Sequence, residues 1–131
     1  MSPQELVKHA KLARTRAYVP YSGFKVGAAI LAKSGNIYLG CNIENAAYSP
    51  TNCAERTAIF NAISQGEREF VALAIVADTA KGCAPCGVCR QVLMEFFDDE
   101  VEIYLANLQG DIAYRKISQL LPDSFSRKEL L

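Results

Sequence analysis

The chain has 131 residues, enough to bury the core of one domain and too few for two of ordinary size. Fourteen Lys and Arg balance fourteen Asp and Glu, so the bulk positive field that grips a nucleic-acid backbone is missing and a small neutral partner fits better. The longest apolar run, Val71 to Ala77, is too short to cross a bilayer, and no basic flank with an apolar stretch opens the chain, which reads as a cytoplasmic protein without a membrane or nucleic-acid partner.

In chain order, Ser2, Pro3 and Glu5 have the pattern of an N-cap, a first helical residue and a capping-box acid, and Leu6, Ala10, Ala13 and Ala17 carry that helix to about residue 17. Tyr18 to Gly23, with Pro20, ends it. Phe24 to Leu31 and Ile37 to Cys41 read as strands joined by the hairpin Lys33-Ser34-Gly35-Asn36, and Asn42 to Thr51 as an ordered loop. A second helix over about 53 to 65 has Ala54, Ala58 and Ala62 on one stripe and closes at Gly66. Phe70 to Ala77 is continuously apolar, as a strand covered on both faces is. A third helix over about 86 to 97 repeats Val88, Val92, Leu93, Phe96 and Phe97. Val101, Ile103 and Leu105 alternate as a strand, Asn107 to Asp111 gives a turn, Ile112 to Lys116 is a last strand, and Ser118 is placed to cap a short terminal helix. The order implies an α/β fold over residues 1–131 as a single domain: a mixed five-stranded sheet with helices on both faces.

The chemistry concentrates in the cysteines. Five in a reducing compartment do not suggest a disulfide framework, and an odd number leaves one unpaired, so metal binding or catalysis is the better reading. Cys83-Ala84-Pro85-Cys86-Gly87-Val88-Cys89 holds two overlapping C-x-x-C pairs. Pro85 suits a first helical position, which puts Cys86 and Cys89 on one face of the first turn, where the helix N-terminus favours thiolates. Cys53, at another predicted helix start, supplies a third thiolate and is followed two residues later by Glu55. Three protein ligands leave the fourth tetrahedral position of a zinc ion open to water, the mark of a catalytic site. Three thiolates weaken the acidifying effect of the metal on that water, and Arg56 with the two helix dipoles restores it. Other readings compete. Asn52 and Glu55 have the spacing of a capping box. Cys83, Cys86 and Cys89 begin an iron–sulfur run whose fourth position is Leu93, although Cys53 could complete a set of four. A structural zinc module closed by Cys83 or Cys41 would leave Glu55 without a purpose. Cys41 and Cys83 otherwise read as small buried hydrophobes, and His9 as a solvated surface residue.

Together, Cys53-Ala54-Glu55 and Pro85-Cys86-x-x-Cys89 resemble the zinc deaminase signature in its three-cysteine form. The stretch from Gly40 to Ser49 through Arg56 is similar to the cytidine deaminase family that acts on free nucleosides. So are Pro20-Tyr21-Ser22, Phe24, Val26-Gly27-Ala28, Asn107-Leu108-Gln109-Gly110 and Leu121 to Phe125, so the likeness spans nearly the whole chain with no departure at a catalytic position. The resemblance implies a cytidine deaminase-like zinc-binding domain with one Zn2+ per subunit on Cys53, Cys86 and Cys89, and a role in pyrimidine salvage. It implies that activated water attacks C4 of cytosine in cytidine or deoxycytidine while Glu55 delivers a proton to N3 and later to the leaving amine. It further implies that Asn42 and Glu44 bind the sugar hydroxyl, that Phe24 stacks beside the base, and that Tyr48 and Ala54 contact substrate. Arg56 would hydrogen-bond the zinc thiolates, and Phe125 would reach a neighbouring subunit's site in a homotetramer. A blasticidin-type antibiotic nucleoside is a nearby alternative substrate that the Asn42 to Tyr48 segment disfavours; an RNA- or DNA-editing role is disfavoured by the zero net charge.

Overall fold

A computed structural model describes residues Met1–Leu131. Five strands, β1 (Val26–Ala32), β2 (Ile37–Cys41), β3 (Phe70–Ala77), β4 (Glu102–Asn107) and β5 (Ile112–Arg115), form one mixed α/β sheet in the order β2-β1-β3-β4-β5. Only β3 and β4 run parallel, and α3 (Gly87–Phe96) supplies the crossover that such a pair requires. Alternation along the strands sorts the side chains into two layers. Ala29, Ala72, Ala74, Val76 and Ala106 meet Leu6, Val7 and Ala10 of α1 (Pro3–Arg14) on one face. Ala28, Ile30, Leu73, Ile75 and Ile103 meet Ala58, Ile59 and Ala62 of α2 (Ala54–Ser64) and Leu93 of α3 on the other. Helices thus cover both faces. Glycine sets how closely they lie: a Cβ at Gly40 would overlap the Ala54 carbonyl and the Ala58 N–H of α2, and one at Gly27 the Ala10 carbonyl of α1.

Several boundaries differ from the sequence reading, each for a local reason. The Ser2 hydroxyl accepts from the Glu5 N–H as expected, but α1 stops at Arg14 rather than near residue 17, because Thr15, Arg16 and Ala17 tighten into i→i+3 bonds onto Leu12, Ala13 and Arg14. β1 begins at Val26, which leaves Phe24 outside the sheet and partly exposed. The central strand is buried except at Val71, the extra residue of a bulge between Ala72, paired with Leu31, and Phe70, paired with Ala32. Ser118 does not cap the terminal helix α4 (Ile117–Leu120). Lys116 holds that position, and the Ser118 hydroxyl donates to Asp99 at 2.7 Å instead. A 3₁₀ turn over Arg127–Glu129 has no counterpart in the sequence pattern.

Candidate active site

The layer containing α2 and α3 carries the reactive residues. Cys53 and Cys86 are the N-caps of these two helices, in extended conformation, and their sulfurs lie 3.7 Å apart. The Cys89 N–H donates to the Cys86 sulfur at 3.5 Å, and all three sulfurs lie within 4.8 Å of one another. Pro85 therefore does not occupy the first helical position. It precedes the cap, because the Cys86 thiol itself takes the place of the capping acceptor for Cys89. Nor do Asn52 and Glu55 form a capping box. The Asn52 amide donates to the Thr57 hydroxyl at 3.0 Å, and that hydroxyl to the Cys53 carbonyl at 3.1 Å, which locks the first turn from outside. The Glu55 side chain is buried, 5% exposed.

A buried carboxyl beside thiols is not a stable resting arrangement by itself. Burial, aided by the negative charge of Cys53, pushes Glu55 up to about 7. The Cys89 thiol beside Cys53, then the Arg56 guanidinium, hold Cys53 down to about 5. Cys89 is driven upward as the partner that keeps its proton. Arg56 donates from Nη2 to the Cys53 sulfur at 3.2 Å and is itself held more firmly charged by it. The donor set fits zinc: tetrahedral Zn–S bonds of about 2.3 Å put sulfurs roughly 3.8 Å apart, close to the Cys53–Cys86 spacing. Cys41 and Cys83 lie outside the cluster, each half-buried rather than fully buried, and burial pushes Cys83 up to about 11.

The segment Asn42–Glu44 is laced beside this centre. Ile43 exchanges both backbone bonds with Asn52, the residue before Cys53, while Tyr18 donates to the Asn42 carbonyl and accepts from the Glu44 N–H. The Asn42 amide spans the Phe24 segment, accepting from the Val26 N–H at 2.9 Å and donating to the Phe24 carbonyl at 2.7 Å. Glu44 accepts from the Tyr21 and Ser22 N–H groups and from the Ser22 hydroxyl, which hold its carboxylate below the usual range. Tyr48, in left-handed conformation, packs edge-on against Tyr21, and Ala54 is fully buried. Phe125 stands apart, exposed, its carbonyl accepting from Gln91 of α3. Ser22, Thr57 and Arg90 also hold parts of this region in place without any motif that marks them. All three act on atoms distant in the chain or on backbone, which leaves no spacing signature.

A sheet that seats a three-thiol centre at two helix starts, with a proton-carrying carboxyl beside it, defines a zinc-dependent hydrolase. A family model described as "Cytidine and deoxycytidylate deaminase zinc-binding region" matches residues 1–105. The cytidine deaminase of Sporosarcina psychrophila is 56% identical over 99% of this chain and 96% of its own length, and that of Halalkalibacterium halodurans is 53% identical over 99% and 98%. The crystal structure of the cytidine deaminase from Burkholderia pseudomallei superposes with a TM-score of 0.93 at 49% identity, covering 95% of this chain and 100% of that one. The chain belongs to the cytidine and deoxycytidylate deaminase family.

Proposed function

We infer that the chain catalyses the zinc-dependent hydrolytic deamination of cytidine and deoxycytidine to uridine and deoxyuridine, with release of ammonia. The observation that carries this is the burial of Glu55 beside three converging thiols in a member of this family. Cys53, Cys86 and Cys89 hold the metal, and Arg56 offsets part of their negative charge. Zinc held there would supply a Lewis acid and make water acidic enough to serve as the nucleophile. Glu55 moves the protons: as carboxylate it takes one from the attacking water and passes it to N3 of the pyrimidine, then takes the proton of the new C4 hydroxyl and delivers it to the amine, which leaves as ammonia as the C4–N bond breaks and the C4 carbonyl forms.

Phe24 stacks beside the base, and Tyr48 and Ala54 complete the substrate pocket. Glu44, already fixed by Ser22 and Tyr21, accepts from the sugar hydroxyl. Asn42 reaches the same hydroxyl with its second amide hydrogen and second lone pair, since one of each is committed to the backbone. Residues 1–131 act as one catalytic unit, and the chain works as a cytoplasmic homotetramer in pyrimidine salvage, with Phe125 entering a neighbouring subunit's pocket. Phe125, exposed and apart from the residues given to the substrate pocket, is the aromatic side chain free to make that contact. The direct test follows the fall in absorbance as cytidine becomes uridine; zinc-loaded protein that leaves both nucleosides unchanged overturns the assignment.

A further inference from the structure

The three sulfurs are not held equally. Cys89 is fully buried on α3, and Cys53 is locked by Thr57 and Asn52 around the start of α2. Cys86 is the exposed member, and it arrives at the end of the irregular stretch that follows β3. Its position depends on the peptide that precedes it. Pro85 contributes no N–H there, and its carbonyl lies before the helix cap, where no helical donor can reach it.

Arg90 fills that gap. Its Nε donates to the Pro85 carbonyl at 2.9 Å and its Nη1 to the Leu120 carbonyl at 2.8 Å, at the end of α4. No carboxylate lies within ion-pair distance of this guanidinium, the one such pair in the protein being Lys33–Glu69. A full positive charge is thus hydrogen-bonded to the peptide unit that leads into Cys86, and its rigid fork ties that unit to the C-terminal segment. We propose that Arg90 is a positioning residue for zinc: it fixes the Pro85–Cys86 peptide, and so the Cys86 sulfur, and couples retention of the metal to the docking of the chain at Leu120. The proposal rests on Cys86 being a zinc ligand.

The measurement is the rate at which zinc passes from loaded protein to an excess of chromophoric chelator. Arg90→Leu is expected to release zinc about 10–100-fold faster than wild type, the release rate carrying the loss of affinity typical when a group that orients a metal ligand is removed. Arg90→Lys keeps the charge but cannot span two carbonyls, and its rate is expected to fall between the two. Gln91→Ala frees only the Phe125 carbonyl and is expected to release zinc at the wild-type rate. Circular dichroism and melting in excess zinc establish that each variant is folded. A wild-type rate in either folded Arg90 variant overturns the proposal, as does equal acceleration by Gln91→Ala. Cys86→Ser separates the two levels: wild-type zinc retention in that variant removes Cys86 from the ligand set, whereas loss of zinc there with an unchanged Arg90→Lys rate leaves the ligand set intact and removes Arg90.

Discussion

Glu55 carries the chemistry and is also a burden on the fold. Its carboxyl is almost wholly enclosed, and nothing at the start of α2 uses it as a cap. Replacing it with Gln keeps the volume and removes the proton carrier. Glu55→Gln should retain one zinc per chain by metal analysis while cytidine turnover falls at least about a hundredfold. Undiminished turnover would take Glu55 out of the mechanism. The sequence made this residue and the three thiols legible because few residue types ligate zinc or carry protons, and those types recur at restricted spacings. It did not make Ser22 legible, since its hydroxyl matters only through Glu44, twenty-two positions away. Nor did it settle whether Glu55 capped its helix; that was decided by the bonds of Asn52 and Thr57.

Among the elements, α2 depends on β2 more than on its own sequence. Because a Cβ at Gly40 would run into the Ala54 carbonyl and Ala58 N–H, Gly40→Ala must push the N-terminal half of α2 outward, and Cys53 with it. Denaturant unfolding should show a loss of about 1–3 kcal/mol, the usual cost of overpacking, accompanied by weaker zinc binding. The other end of α2 is tied to the β1–β2 hairpin by Glu67, which accepts from the Ser34 hydroxyl at 2.6 Å, the Tyr38 hydroxyl at 2.7 Å and the Asn36 amide at 3.4 Å. The Ser34 bond, then that of Tyr38, holds the Glu67 carboxyl below its usual 4.5. A depressed pKa means that the unfolded chain binds the proton more readily. The stabilisation is therefore present above the usual value and is lost as pH falls through the lowered one. Melting curves of wild type and Glu67→Gln should differ near neutral pH and converge in acid; a constant difference would show that the charge is immaterial. The four α-helices and five strands were legible from periodicity, caps and turn residues, and the 3₁₀ turn over Arg127–Glu129 was not. The ends were not, because they are set by events such as the Thr15 turn and the Val71 bulge, which depend on neighbours rather than on local preference.

At the scale of the molecule, the hairpin residues Lys33 to Asn36 put β2 beside β1, but the pairing of β1 with β3 on its other edge could not be read, since alternation reports which face is buried and not which strand lies alongside. The exposed Phe125 belongs to this scale too. Light scattering should give the mass of four chains for the wild type, and Phe125→Ala should raise KM for cytidine; a monomer of full activity would refute the shared-site reading. One further property follows from Cys53 and Cys86 capping different helices, thirty-three positions apart in sequence. The two sulfurs meet only when both helix starts are in place, so a metal that needs both binds the folded chain and not the unfolded one, and its binding free energy is added to folding. Each tenfold rise in free zinc above the dissociation constant should add about 1.4 kcal/mol to the folded state. The melting temperature should therefore climb with the logarithm of buffered zinc, and the lifetime of the protein should follow the zinc supply even with no nucleoside present.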